Sequence, residues 1–236
     1  MDYFSSSPVN EREIRLRLDH ERILVGDLGI PDDAQGLVIF AHGSGSSRMS
    51  PRNRAVAAAL WSGGLATLLL DLLTRDEELI DERTREHRFD IDLLAQRLVA
   101  TIDWASREEE LQQLPIGLFG ASTGAAAALV AAAQRPALIK AVVSRGGRPD
   151  LAGAALEQVH APTLLIVGGH DVAVIHLNRE ALRRLRCQKQ LEIVPHATHL
   201  FEEPGALNQV AYLARQWFTN CMTRVASRTS ATSSTN

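Results

Sequence analysis

The stretch from Pro115 to Arg135 reads PIGLFGASTGAAAALVAAAQR and is the part of the chain that most restricts its fold. Its apolar run at 116–119 predicts a strand, and the run of Ala, Leu and Val at 125–133 predicts a helix. The turn between them, GASTG at 120–124, is a G-x-S-x-G motif in the strand-to-helix context of a nucleophile elbow. Its glycines carry no Cβ, so strand and helix can approach closely. The stretch therefore predicts that Ser122 is raised above the end of a buried strand.

Seven further segments have the pattern of strands, and helices alternate with most of them. Two segments near the N-terminus predict a hairpin at one edge of the sheet, and the others are short apolar runs typical of strands buried on both faces. The predicted strands cover 14–18, 23–25, 37–41, 65–70, 116–119, 140–144, 163–167 and 190–194. The predicted helices cover 51–61, 91–106, 125–133, 151–159, 176–185 and 206–219. This alternation predicts an α/β fold with a doubly wound, mostly parallel, eight-stranded sheet and helices on both faces.

A single domain is predicted from residue 11 to residue 222, because α/β chains of this length commonly form one unit. The Ser-rich lead-in at 1–10 and the Ser/Thr-rich tail at 223–236 have little to bury and are predicted to be disordered. The charged segment at 74–90 is expected to be the longest irregular connection. Only 18 residues lie between Ser144 and Thr163, so no large cap domain is expected there.

The composition argues against several classes of function. With 45% hydrophobic residues, 22% charged residues and a formal net charge of -3, the chain lacks the basic character of a nucleic-acid binder. Cys187 and Cys221 have no metal-ligand spacing, and no apolar run resembles a signal peptide or a membrane span. We therefore expect a soluble, cytoplasmic protein with a small-molecule substrate, no nucleic-acid or membrane partner, and no metal or other cofactor.

Reactive side chains follow several of the predicted strands, at the end of the sheet where ligands of such folds bind. Ser122, Asp171 and His199 occur there in the chain order nucleophile, acid, base, which is typical of hydrolases built on an elbow. A serine hydroxyl becomes an effective nucleophile when a histidine within hydrogen-bond reach removes its proton and a carboxylate orients that histidine. The order and placement predict a catalytic triad of Ser122, His199 and Asp171.

Two other residues compete for these roles. His196 lies three residues before His199, and Asp150 follows the strand that precedes the one leading to Asp171. We favour His199 because its longer loop can fold back over the nucleophile, and Asp171 because its position is the more usual one for the acid. His196 and Asp150 remain the alternatives.

Four segments resemble the α/β-hydrolase superfamily and, within it, the dienelactone-hydrolase-like branch. They are HGSGSS at 42–47, GASTG at 120–124, VGGHD at 167–171 and ATHLFEEPG at 197–205. The resemblance implies an α/β-hydrolase fold and a hydrolytic activity. The chain departs from the branch at the nucleophile, because dienelactone hydrolases themselves use a cysteine where this chain has Ser122.

The same strand ends supply candidates for binding the substrate. The backbone N–H groups of Thr123 and Ser44 are expected to form the oxyanion hole. Arg48, Arg88 and Arg145 lie on loops or strand ends around the predicted site, where a guanidinium can clamp a carboxylate. The alternative is that these arginines are solvated or cap helices, because 23 of the 25 basic residues in this chain are arginine.

The sequence thus predicts a serine hydrolase that cleaves a small carboxylic ester, thioester or lactone through an acyl-enzyme. A non-catalytic ligand-binding module with this fold and an acyltransferase that uses an acceptor other than water are the alternative functions.

Overall fold

A computed structural model describes residues 8–222 of the protein. The predicted disordered tail lies outside the described residues, as do residues 1–7 of the lead-in, and the first strand begins at Val9. The strands are β1 (Val9–Arg17), β2 (Ile23–Pro31), β3 (Leu37–Ala41), β4 (Ala66–Leu70), β5 (Ile116–Ala121), β6 (Ile139–Arg145), β7 (Thr163–Gly168) and β8 (Lys189–Val194). The helices are α1 (Pro51–Trp61), α2 (Arg75–Thr84), α3 (Ile91–Ala105), α4 (Thr123–Gln134), α5 (Val172–Arg184) and α6 (Ala206–Met222), with a 3₁₀ segment at Pro149–Gln158.

The eight strands form one sheet in the order β1-β2-β4-β3-β5-β6-β7-β8. β1 pairs antiparallel with β2, and β2 pairs antiparallel with β4, so the N-terminal hairpin lies at one edge as predicted. The other five pairs are parallel. The predicted mostly parallel, eight-stranded α/β sheet is therefore confirmed. The carboxyl ends of β3, β5, β6, β7 and β8 meet at one end of the sheet, where the candidate residues lie.

Helices cover both faces of the sheet and produce two hydrophobic clusters. α1 and α6 pack on one face, and α3, α4, the 3₁₀ segment and α5 pack on the other. Every residue of β3, β4, β5 and β7 is buried, which explains why these strands are continuous apolar runs. The connection from residue 144 to residue 163 contains only the short 3₁₀ segment, so no cap domain is inserted there.

The prediction that 74–90 is irregular was wrong over most of its length, because α2 occupies residues 75–84. The helix begins with a capping box: Thr74 Oγ1 accepts from the Glu77 N–H at 3.3 Å, and Glu77 Oε2 accepts from the Thr74 N–H at 2.8 Å. Three acidic residues in the first turn also interact favourably with the helix dipole. The helix has few apolar residues, so hydrophobic periodicity could not reveal it.

We expect Gly124→Ala to lower the free energy of unfolding by about 3 kcal/mol. A Cβ at Gly124 would overlap the carbonyl oxygens of Ala41 and His42, and backbone atoms cannot move aside as a flexible side chain can. This cost exceeds the gain in helix propensity of about 1 kcal/mol. Urea denaturation measures the effect. Gly63→Ala is the matched control, since its Cβ meets the flexible side chain of Arg215, and equal stabilities for the two variants would contradict the prediction.

Candidate active site

Ser122 lies at a strained turn between β5 and α4. Its φ of 51° and ψ of -121° are unfavourable for a residue with a side chain. Three backbone hydrogen bonds hold this conformation: the Ser122 N–H donates to Arg145 O at 3.2 Å, and Ser122 O accepts from the N–H groups of Ala125 at 3.1 Å and Arg148 at 3.0 Å. The surrounding backbone therefore stabilises the turn that the G-x-S-x-G motif predicts.

The structure brings Asp171 and His199 together. Asp171 follows β7 directly and precedes α5, whereas His199 lies on the loop after β8. Asp171 Oδ2 lies 2.6 Å from His199 Nδ1. This hydrogen bond leaves His199 Nε2 available as a base, because the proton is held on Nδ1. The carboxylate side chain is only 15% exposed, so its charge is poorly screened by water.

The two competing residues have other environments. The ring of His196 is exposed and lies edge-on to His170, with 5.7 Å between the ring centroids. Asp150 accepts two hydrogen bonds from the Arg148 guanidinium, at 2.7 and 2.9 Å. Within residues 8–222, neither side chain forms a hydrogen bond or an ion pair with Asp171 or His199.

The loop after β8 carries His199 back to the end of β6, the strand next to β5 and Ser122. His199 Cε1 is 3.6 Å from the position that a Cβ on Gly146 would take, and Gly146 follows Arg145, which pairs with the elbow. Within residues 8–222 no hydrogen bond joins Ser122 to His199 in this structure. Catalytic hydrogen bonds of enzymes without substrate are often long and shorten in the complex.

The two predicted oxyanion donors are linked by a chain of hydrogen bonds. The Thr123 N–H is at the first position of α4, where no intrahelical acceptor exists. The Ser44 N–H donates to Thr123 Oγ1 at 3.1 Å, and the two hydroxyls are 2.9 Å apart. Ser44 Oγ in turn donates to Arg88 O at 3.2 Å, so the Thr123 hydroxyl donates to Ser44 Oγ. An oxyanion must therefore share the Ser44 N–H with Thr123 Oγ1 or displace the Thr123 hydroxyl. Sequence reasoning missed this hydrogen bond.

His42 shapes the turn that carries Ser44. Its Nε2 accepts from the Leu72 N–H at 3.0 Å, so its Nδ1 carries the proton and donates to Gly43 O at 3.0 Å. Burial lowers the pKa of His42, which keeps the ring neutral. Its role here is to join the β3 and β4 loops. A Cβ on Gly43 would lie 2.9 Å from Ser122 Cβ, so this turn packs directly against Ser122.

The three predicted substrate-binding arginines differ in their partners. Arg48 forms ion pairs with Asp71 at 3.0 Å, with Glu13 at 3.1 Å, and with Asp27.

Arg88 is held by Asp81, with 2.6 Å between Nε and Oδ2. It also donates to the Asp81 carbonyl at 3.1 Å. Only 8% of the surface of Arg145 is exposed. Its side chain forms no ion pair within residues 8–222. The protein's own carboxylates therefore neutralise Arg48 and Arg88 but not Arg145.

A cavity of about 240 Å³ opens beside the turn of Gly43 and Ser44, the predicted oxyanion turn. Four of its lining residues are acidic. Partial burial together with neighbouring carboxylates raises the pKa of Glu78. The lining residues include Ser44, Thr123, Asp71, Glu78, Asp81, Glu82, Arg88 and Leu94. The volume suits a small substituent, because pockets for drug-sized ligands are usually larger than about 300 Å³.

Two predicted absences concern metals and membranes. No group of three His, Cys, Asp or Glu side chains between residues 8 and 222 is arranged to hold a metal ion. The helices in the same range are all too short or too polar to cross a membrane. That catalysis proceeds without a cofactor stays a prediction.

Known proteins resemble this chain over most of its length. A dienelactone hydrolase from Anabaena variabilis has 58% sequence identity and a TM-score of 0.89, covering 91% of this chain and 99% of that structure. Carboxyl esterase 2 from the fungus Tuber melanosporum has a TM-score of 0.70 over 92% of this chain and 89% of that structure. At 15% identity, that second match shows the fold alone.

A curated relative from Mycobacterium tuberculosis carries the name "Putative phosphoribosyl transferase". It is 52% identical over 218 residues, which are 92% of this chain and 48% of the relative. The chain therefore spans about half the length of the curated relative that it matches. The family itself is given by residues 25–223, which match the dienelactone hydrolase family. This match and the Anabaena structure lead to one conclusion: the chain belongs to the dienelactone hydrolase family and has its α/β-hydrolase fold.

Proposed function

We propose that this protein is a serine hydrolase that cleaves a small carboxylic ester, thioester or lactone through an acyl-enzyme on Ser122. The main support is the 2.6 Å contact between Asp171 and His199 at the strand ends beside Ser122. A ligand-binding module would not require an oriented histidine next to a strained serine. The small cavity at the oxyanion turn favours a short substituent on the reacting carbonyl.

The reaction follows from the positions of these groups. His199 Nε2 removes the proton from Ser122 Oγ as that oxygen attacks the carbonyl carbon, and Asp171 stabilises the imidazolium that forms. The negative oxygen of the tetrahedral intermediate accepts from the Thr123 N–H and, after the Thr123 hydroxyl gives way, from the Ser44 N–H. His199 then protonates the leaving group, and water attacks the acyl-enzyme by the same route.

The name of the Mycobacterium relative suggests a transfer reaction, but it describes a protein about twice as long. The part matched here contains the elbow, the acid and the base that hydrolysis requires. We therefore assign hydrolysis to this part of the chain.

Fluorophosphonate labelling tests the proposal, because the reagent reacts with serines activated by a base. We expect one adduct, on Ser122, when the labelled protein is digested and analysed by mass spectrometry. Asp171→Asn should slow the labelling by about 10⁴-fold, since the histidine loses its orienting partner. Asp150→Asn is the matched control and should label at the wild-type rate. An unlabelled Ser122, or an equal effect of both variants, would count against the triad.

A further inference from the structure

The strand β1 forms an open edge of the sheet. It is the first strand in the sheet order and pairs on one side only, with β2. Its charged residues Glu11, Glu13, Arg15 and Arg17 are exposed on one face, whereas Ile14 is buried on the opposite face. An open edge of nine residues offers a row of main-chain groups to a further strand.

The main-chain groups of this edge point away from β2 at the odd-numbered residues. Next to the hairpin turn, the Leu18 N–H donates to Arg22 O at 2.9 Å, and the pairing of β1 with β2 continues from there without a bulge. Hydrogen-bonded pairs recur at every second residue of an antiparallel ladder, so the even-numbered residues of β1 bond to β2. The odd-numbered N–H and C=O groups therefore face outward, and they make no hydrogen bond within residues 8–222.

The order of charges along this edge is self-complementary, because two acidic residues are followed by two basic ones. When two copies pair antiparallel with Ile14 opposite Ile14, Glu13 lies opposite Arg15 of the second copy, and Glu11 lies opposite Arg17. Two-fold symmetry repeats both pairs, and all of them join residues whose main-chain groups face outward. Sliding one strand by two residues places Glu13 against Glu13 or Arg15 against Arg15, so the charges favour one register.

We propose that two copies of this chain associate through antiparallel pairing of their β1 strands in this register. The product is a two-fold dimer in which one sheet runs through both copies. Each of the four pairs of charged residues can exchange two main-chain hydrogen bonds, and opposite charges directly across the strands stabilise the pairing. Charges on an edge strand prevent association with strands that do not match them, but the second copy presents the matching charges. The proposal does not depend on the proposed hydrolase function.

Sedimentation equilibrium of the full chain measures the association. We expect a species with twice the 25.8 kDa mass of one chain. A protein that stays monomeric up to millimolar concentration would overturn the proposal. A mass that grows beyond two chains would indicate head-to-tail pairing between β1 and the other edge strand, β8, and would refute the two-fold contact.

Reversing the basic charges of the edge tests the ion pairs. In Arg15→Glu/Arg17→Glu all four ion pairs become like-charge pairs, so the dissociation constant of the dimer should rise about ten-fold or more. Arg183→Glu/Arg186→Glu is the matched control, since it changes the net charge equally at two exposed arginines close to β8. An equal effect of both double variants would mean that net charge, not the β1 contact, controls association.

A mixture of oppositely charged variants restores the pairing if the proposal is correct. Glu11→Arg/Glu13→Arg makes the edge entirely basic, and Arg15→Glu/Arg17→Glu makes it entirely acidic. Each variant alone should be weakened as a dimer, whereas native mass spectrometry of the mixture should show a mixed dimer. Circular dichroism checks that both variants fold, and Arg48 keeps its two aspartate partners when Glu13 is replaced. A mixture of two folded variants that stays monomeric would contradict the charge pairing.

The register is tested with single cysteines in a Cys187→Ser/Cys221→Ser background. Residue 14 faces itself at the two-fold axis in a pair without hydrogen bonds, whose Cα atoms lie about 4.5 Å apart, within disulfide range. Ile14→Cys should therefore cross-link on mild oxidation, although Ile14 is only 8% exposed. Arg12→Cys is the exposed control, because two copies of residue 12 lie about 13 Å apart in this register. Cross-linking of Arg12→Cys at the same rate, or none in Ile14→Cys, would refute the register.

A proline distinguishes main-chain pairing from contact between side chains alone. Arg15→Pro removes an N–H that faces outward, so the variant should be monomeric and keep a melting temperature close to that of wild type. Leu16→Pro is the matched control, because its N–H bonds to β2 and its loss should lower the melting temperature by several degrees. A dimer of wild-type affinity in Arg15→Pro, or equal destabilisation by both prolines, would overturn the proposed edge pairing.

Discussion

The Ser122→Ala variant should lose about 10⁶-fold in kcat for a short aryl ester such as 4-nitrophenyl acetate. Removing one oxygen atom removes the only group that can form the acyl-enzyme, while the oxyanion donors and the binding cavity remain. Stopped-flow and long-time spectrophotometric assays of released 4-nitrophenol measure the residual rate. Activity above about a thousandth of the wild-type value would contradict the assignment of Ser122 as the nucleophile.

The Ser122→Gly variant separates loss of activity from loss of folding. The φ of 51° and ψ of -121° at this position are strained for serine and allowed for glycine. Relief of this strain is worth about 1–3 kcal/mol, from which the greater freedom of glycine in the unfolded chain removes about 0.5–1 kcal/mol. We therefore expect an inactive variant that is at least as stable as wild type. An inactive variant that is clearly less stable would point to a structural role for the hydroxyl.

The His199→Ala variant should be as inactive as Ser122→Ala, because an alcohol without a base is a poor nucleophile. The double variant should be no slower than either single variant, since residues that act as a unit are not additive. Steady-state assays with the same aryl ester test both statements. If the loss of activity in the double variant equalled the product of the two single losses, His199 would not act through Ser122.

His196→Asn is the matched control for His199→Ala. His196 is exposed and has a φ of 62°, a conformation that asparagine tolerates better than alanine does. The substitution should leave kcat within about two-fold of wild type and the fold intact, because surface changes away from a site have small effects. If His196→Asn were inactive and His199→Ala active, the assignment of the base would be wrong.

The buried strands and the family could be predicted from the chain alone. β3, β5 and β7 are continuous apolar runs because helices cover both faces of the sheet, and a run of this kind is visible without any tertiary information. The elbow could be predicted for a similar reason. The backbones of β5 and α4 lie so close together that only glycine and other small residues fit between them. The two glycines of the motif therefore indicate this contact in the sequence.

The helix α2 could not be predicted from hydrophobic periodicity, although its capping box was present in the sequence. Only Asp81 of its ten residues is buried. The helix is therefore stabilised by polar interactions and by the cap at its N-terminal end. Thr74 and Glu77 supply the cap, and Arg97 forms an ion pair with Glu77 from the next helix. A search for the T-x-x-E pattern would have found its first turn.

The chain by itself determined the order of chemical groups along the strand ends, because a local motif and a fixed topology place Ser122, Asp171 and His199 at the same end of one sheet. Which arginines are neutralised by ion pairs was decided only by the tertiary structure. Arg48 and Arg145 look alike in the sequence, yet carboxylates distant along the chain surround the first and none within residues 8–222 pairs with the second. An ion pair forms between segments that are distant along the chain. A local sequence pattern therefore does not predict which arginines will have a carboxylate partner.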